Sequence, residues 1–449
     1  MSQDIRIKKG LDIKLVGEAD KNTTSLPIAS VYAVKPDDFH KITPKLIVKV
    51  GNEVKAGQAL FYAKSNEQIL FPSPVSGEVV EIVRGAKRKV LAVKVLADKE
   101  QTFQDFGKKE ISQLSGEEVK NHLLASGCWP FIKKRPYDVV ANPTEAPKSI
   151  FISAYASAPL AADLNYTLSG KEAELQVAVS ALAKLTEGKV HIAVGKGEKS
   201  PLADLKNAEI HRVSGPHPAG NVSVQIAKID PINKGEVVWV VNPQDLVIIG
   251  ELLLTGKFNA KRTLALTGSR IEAPQYVEAM IGMSIEALVG DQIVEKNTRV
   301  ISGNVLSGTA VGTQDYLGYY DNQITAIPEG DDYEFFGWNK PIFNKISTSR
   351  ALTFSWLTPN KKFDLTTNTN GEHRAFVLTG NYEKVFPLDI FPLQILKACL
   401  YKDLDEMEAL GMYEVAPEDF ALTEFICVSK QPHQKIIREG LDLMLEEIG

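Results

Sequence analysis

The stretch AKSNEQILFPSPVSGEVV, residues 63–80, decides how the first hundred residues are read. Ser65-Asn66 forms a small polar tip between two apolar-rich runs, and asparagine tolerates the left-handed turn conformation well. Pro72-Ser73-Pro74 interrupts the ladder that follows, and Gly77 opens another strand. The flanking sequence repeats the pattern. LIVKVGNEVKAGQALFYA (46–63) alternates apolar and polar residues around turns at Gly51-Asn52 and Ala56-Gly57, and GEVVEIVRGAKRKVLAVKVLA (77–97) does so around Arg84-Gly85. Short strands at this spacing predict a small closed sandwich or barrel over residues 1–102.

Pro72-Ser73-Pro74-Val75-Ser76-Gly77 resembles the half of a lipoyl or biotinyl carrier domain that follows the modified lysine. In such domains the lysine stands six residues before the first proline, and here that position is Asn66. Only an amine forms the stable amide to the cofactor, and Lys64 lies two places too early. The expectation is a carrier-shaped domain without a covalent cofactor.

Beyond residue 102 the pattern changes. SIFISAY (149–155), KVHIAVG (189–195) and EVVWVVN (236–242) are short bounded apolar runs of the kind buried in parallel sheets. Between the first two, Leu175, Val179, Leu182 and Leu185 share one helical face, with Gly188 as a stop. A Rossmann-like α/β domain is predicted over 103–255. Residues 256–330 form a compact mixed segment: RTLALTGS reads as a strand, APQYVEAMIGMSIEALVG as a helix or two, and TRVISGNVLSGTAVG as glycine-rich β-structure. From 331 to 449 the chain reads as mainly helical, with Leu393, Leu396, Leu400, Leu404 and Met407 spaced as one apolar stripe.

The composition narrows the function. A net charge of −5 over 449 residues gives no electrostatic case for nucleic-acid binding. The charge is uneven, with 17 Lys/Arg against 12 Asp/Glu in residues 1–100 and 4 against 12 in residues 401–449, as suits a charged partner or a solvated face. Cys128, Cys399 and Cys427 lie far apart, so neither a zinc site nor an iron–sulfur cluster is expected. The N-terminus has no apolar leader core, and the longest apolar run, Leu246–Leu254, falls short of a membrane span.

The catalytic motifs are missing. Gly195-Lys196-Gly197 follows a strand, but Ser200 stands where a dinucleotide fingerprint needs its third glycine, so a plain turn is expected. The seven histidines are scattered, with no metal-binding pair and no nucleophile elbow. His217, between two prolines, is expected to be a surface or satisfied loop residue. No catalytic residue and no metal ligand is assigned. SGCWPFIKKRPYDVV (126–140) interleaves Trp129, Phe131 and Tyr137 with Lys133, Lys134 and Arg135. It is either an anchoring loop or the wall of a pocket for a flat aromatic ligand. The basic turn Arg84, Lys87, Arg88, Lys89 is expected to be a solvated hairpin.

Five segments carry a resemblance along nearly the whole chain: IRIKKGLDIKLVGEA, PSPVSGEVVEIVRGAKRKVL, SGCWPFIKKRPYD, APLAADLN, and EALGMYEVAPEDFALTEFICVSK. They resemble the family formed by the A subunits of the Na+-translocating NADH:quinone oxidoreductase. More distantly, the α/β part resembles subunits that bind NADH, flavin mononucleotide and an iron–sulfur cluster. Where those relatives hold a glycine-rich flavin loop, this chain has ASGCWPFIKKRP. The resemblance implies an α/β multidomain protein with a carrier-like (lipoyl/biotinyl-type) β-sandwich, a Rossmann-like domain, a small β-grasp-like domain and a helical C-terminal domain. It implies a peripheral subunit on the cytoplasmic face of the bacterial inner membrane, in quinone reduction coupled to Na+ export. That subunit would have no NADH, flavin or iron–sulfur site of its own. Its partners would be the other subunits, the membrane-embedded ones above all, and a quinone (ubiquinone or menaquinone). The quinone-pocket candidates are Trp129, Phe131, Arg135 and Tyr137. Two other readings stay open: a stand-alone flavin- or NADH-dependent reductase, and a carrier-like adaptor without redox function.

Overall fold

The computed structural model describes residues 2–337, 339–340 and 343–449. Two small sheets, of four and three strands, form the barrel-like unit between Val31 and Ala97. Its strands Ala59–Ala63 and Asn66–Pro72 bury Leu60, Phe61, Ala63, Ile69 and Phe71, with a register shift beside Leu60 that lets two successive side chains go inward. Asn66 follows the exposed Lys64-Ser65 turn and accepts the Gln68 amide through its own side chain at 3.0 Å.

The next unit is built on a seven-stranded sheet. Its order is Asp4–Arg6, Glu209–Ser214, Val190–Gly195, Ser149–Ala154, Val238–Val240, Lys133–Arg135 and Val139–Val140. The first five strands are parallel, and Lys133–Arg135 runs antiparallel to its neighbours. Helices Glu172–Leu182 and Pro243–Thr255 pack together over one face, where Leu175, Val179, Leu246 and Ile249 join Ile150, Ile152 and Ile192 in a single core. They approach so closely at Gly250 that a Cβ there would fall 2.0 Å from the Glu174 carbonyl oxygen. Helix Val222–Ile229 covers the other face, setting Val222 and Ile226 on Phe151 and Val240.

A six-stranded mixed sheet follows, centred on Lys261–Thr267 and Gln323–Pro328. The C-terminal part holds helices Pro392–Tyr401, Leu404–Ala409 and His433–Glu447. Among the described residues, no helix is long and apolar enough to cross a membrane.

Asp4–Arg6 is an edge strand of the seven-stranded sheet, and Asp20–Ser25 extends the six-stranded one. Edge strands gain their partners from tertiary neighbours, which local patterning cannot reveal. Gln275–Met280, expected to be helical, is a strand paired antiparallel with Lys261–Leu266, and only Ile285–Val289 is helix. Tyr276 and Val277 favour the pleated surface they share there. The stripe from Leu393 to Met407 is broken at Lys402, whose φ of 58° ends one helix before Asp403 caps the next, and Leu400 is exposed.

Candidate functional site

The chain leaves the central strand Ser149–Ala154 toward Val190–Gly195 and Glu209–Ser214 on one side. It returns to Val238–Val240 on the other. At such a reversal the loops leaving the two adjacent strands diverge and open a crevice beyond their carboxyl ends. A cavity of about 310 Å³ lies there. Ser153 and Tyr155–Ala158 line it from the end of the first strand, and Val240–Asn242 from the second. Asn221 and Asn242, the residues preceding helices Val222–Ile229 and Pro243–Thr255, also line it, and neither caps its own helix through its side chain. Asn304, Asn322 and Gln323 come from the six-stranded unit and Glu418 from the C-terminal part. The site is therefore shared by three parts of the chain.

The loop 126–140 supplies Phe131, Lys133, Arg135 and Asp138 to this cavity. Phe131 is buried between units, stacked on Tyr319 at 5.2 Å and on Phe258 at 6.2 Å. Lys133 sits over the Tyr320 ring with Nζ 4.2 Å from its centroid, and no carboxylate among the described residues lies within ion-pair distance of it. Arg135 is buried; it donates to the Glu418 carboxylate at 2.9 Å and the Ser223 hydroxyl at 3.2 Å, and lies 3.5 Å from Asp138. Burial alone would raise the Asp138 carboxyl, but Arg135, then Lys133 and Arg438, hold it well below the usual carboxylate range. Burial, with Glu418 beside it, pushes Asp419 up to about 6.

Lys133 and Asp138 also line a second cavity of about 150 Å³, bounded by Asp38, His40, Tyr320 and Arg438. Burial pushes Asp38 up to about 6 against the pull of Lys35. Asn322, which lines the first cavity, accepts from Arg262 at 3.0 Å, and Arg262 is in turn paired with the buried Asp245 at 2.5 Å.

Of the four residues singled out in the sequence, Phe131 and Arg135 line the crevice. Trp129 and Tyr137 do not. Trp129 is fully buried, edge-on to Trp239 at 5.3 Å, and donates its indole N–H to the Ala141 carbonyl at 2.7 Å. Tyr137 packs into the C-terminal core near Tyr413, and its carbonyl accepts from Arg438 at 2.7 Å. Thus the loop is both an anchor and a wall. Sequence reading missed Asn221, Asn242, Asn322 and Glu418; the asparagine before a helix-opening proline in VVNPQD was the one available signal for Asn242. Asp163 caps the short helix Leu164–Thr167 and pairs with Lys21.

Gly195-Lys196-Gly197 is a turn that leads into no helix. His217 is buried rather than at the surface, its Nδ1 3.0 Å from the Ser157 hydroxyl, and burial pushes it down to about 4.

The histidines are less scattered than the sequence suggests. Parallel pairing of Val190–Gly195 with Glu209–Ser214 brings His191, Glu209 and His211 together, with one ligand-type atom of each inside 4.8 Å. His211 Nδ1 faces the Gln3 amide at 3.3 Å, and an amide can only donate. The His211 proton therefore sits on Nε2, which donates to His191 Nδ1 at 3.0 Å. Hydrogen bonding accounts for the pair.

Comparison with known proteins places this architecture. The family described as the NqrA N-terminal barrel-sandwich hybrid domain matches residues 5–98, the NqrA second alpha/beta domain matches 114–258, and the NQRA C-terminal domain matches 263–312. The A subunit of a Na(+)-translocating NADH-quinone reductase from Rhodopirellula baltica is 36% identical over 448 residues, 98% of either chain. The chain belongs to this family, NqrA. The NqrA chains of Neisseria meningitidis serogroup A and Serratia proteamaculans, which carry the same name, are 36% and 37% identical over 99% of this chain and the whole of theirs. The sequence runs through NqrA barrel-sandwich, α/β and C-terminal units in that order. Among solved structures, an NAD+-reducing [NiFe]-hydrogenase aligns with 77% of this chain and 67% of that one at 11% identity and a TM-score of 0.39, too remote to bear on function.

Proposed function

We propose that the chain is the peripheral NqrA component of a Na+-translocating NADH:quinone reductase, held on the cytoplasmic face of a bacterial inner membrane by the membrane-embedded subunits. In this reading it serves quinone reduction coupled to Na+ export and carries no NADH, flavin or iron–sulfur site of its own. Full-length likeness to NqrA chains named for that reductase supports the assignment. The unit around residues 256–330 is read as β-grasp-like, beside a carrier-like barrel, a Rossmann-like unit and a helical C-terminal part.

We place the quinone (ubiquinone or menaquinone) in the crevice at the strand reversal. The observation that carries this is that Phe131 and Lys133, whose ammonium has no carboxylate partner among the described residues, both line one cavity of about 310 Å³. A flat quinone ring packs on an aromatic edge, and its carbonyl oxygens take hydrogen bonds from the ammonium and from the amides of Asn322 and Asn242. Trp129, Arg135 and Tyr137 then act through position: Trp129 anchors the loop, Arg135 orients Asp138 and Glu418, and Tyr137 ties the loop to the C-terminal part.

The test is titration of the purified chain with a short-chain soluble quinone, following tryptophan fluorescence, in wild type and Lys133→Met. Saturable binding that weakens about tenfold or more in the variant, as loss of a charged hydrogen bond requires, supports the site. Equal binding in both, or none in either, removes it.

A further inference from the structure

The segment between residues 333 and 363 spends aromatic side chains on water. Tyr333, Phe335, Phe343, Phe354, Trp356 and Leu357 are between 60 and 103% exposed. Isolated surface apolar residues need no explanation, but such a concentration of large ones marks a contact surface.

The segment is one patch rather than a trailing string. Lys345 pairs with Glu334, Lys361 Nζ donates to the Phe343 carbonyl at 2.5 Å, and Arg350 donates to the Pro359 carbonyl at 3.0 Å. These three contacts fold its two ends onto each other. It is also fastened to the body. Phe363 is buried and bridges to Leu15, and Lys14 donates to Asn360 at 3.0 Å.

Its charge is opposite to that of the chain. The segment carries Lys340, Lys345, Arg350, Lys361 and Lys362 against Glu334 alone, within a protein whose net charge is −5. Lys345 and Lys362 are paired with carboxylates, whereas Lys340, Arg350 and Lys361 have none within ion-pair distance among the described residues. Aromatic rings prefer the boundary between hydrocarbon and head groups, and cations beside them are attracted to anionic lipid. Among its described residues the one helical stretch is Leu352–Leu357 and the rest is turn or irregular backbone, which suits the head-group region and excludes the hydrocarbon core.

We propose that residues 333–363 form a docking surface for an anionic lipid bilayer, with the exposed rings seated among the head groups and Lys340, Arg350 and Lys361 facing lipid phosphates. This rests on the peripheral-membrane part of the function proposed above and is independent of the quinone site.

The test is co-sedimentation of the full-length chain with vesicles of phosphatidylcholine alone and of phosphatidylcholine with phosphatidylglycerol. The expected result is binding to the second kind only, weakening as salt rises. A Phe354→Ser/Trp356→Ser variant should bind at least about tenfold more weakly, and Lys340→Gln near fivefold more weakly. All three side chains are exposed, so an unchanged thermal transition serves as the folding control. Wild type left in the supernatant with both vesicles, or variants that sediment as well as wild type, overturns the proposal. If the chain still co-purifies with membrane subunits in that case, the patch covers protein and membership of the complex stands.

Discussion

Gly127 of the α/β unit lies against Pro72 of the barrel: a Cβ on Gly127 would sit 2.7 Å from the Pro72 ring. The proline that follows the carrier-like hairpin is thus clamped between units, and Gly127 has a φ of 72° as well. Gly127→Ala therefore meets both a backbone penalty and a clash, and is expected to destabilise by about 2–4 kcal/mol. Gly51→Ala, at φ 86° with open space around it, should cost about 1–2 kcal/mol. Denaturant midpoints of the two variants measure the difference, and equal losses would show that the barrel is not wedged at Gly127.

The Arg262–Asp245 pair is 1% and 0% exposed. Removing one partner leaves a charge stranded without water. Arg262→Met should cost about 3–5 kcal/mol, whereas Arg262→Met/Asp245→Leu should recover much of that loss. A double-mutant cycle on unfolding free energies reads the coupling; additive losses would mean the pair is not coupled.

His217 is expected to make the fold acid-sensitive. Burial lowers it from 6.5 to about 4, so the unfolded chain binds its proton first as pH falls. Its contribution is complete above about 6.5 and is lost on going down to about 4, on the order of 3 kcal/mol in all. Asp38 runs the other way. Raised from 3.8 to about 6, it destabilises the fold as pH rises across that window. His217→Gln should therefore gain on wild type as pH drops from 7 to 4.5. A constant gap between their stability–pH curves would exclude the buried neutral histidine.

Asn66 cannot form the amide that joins lipoate or biotin to a carrier. Intact-mass spectrometry of the chain purified from its own organism should give the unmodified 49.3 kDa species. An added lipoyl or biotinyl mass would overturn the reading of residues 63–80.

The local patterns that survived folding share one trait, which is that their partners are near in sequence. The barrel strands turn back on each other around Gly51, Ser65 and Arg84, and the strands at 149, 190 and 238 are short, mostly apolar runs. Helix Glu172–Leu182 shows its buried face directly. Where the partner is distant, the pattern misled or fell silent. The strand Gln275–Met280 is half polar yet pairs across a sheet, and Asp4–Arg6 pairs with a strand about 208 residues later in the chain.

By itself, the sequence of this protein determined the short strands of the barrel with Asn66 at a hairpin, the α/β alternation, and the aromatic–cationic loop 126–140. Only the tertiary structure decided which of that loop's residues face a cavity. Trp129 and Phe131 are two positions apart in one short turn, yet one is held in the core by Trp239 and Ala141 and the other meets the crevice beside Lys133. The reason is physical. Exposure of a loop side chain depends on what the rest of the chain brings against it, and here those surfaces come from residues 239, 258 and 319, more than a hundred positions away.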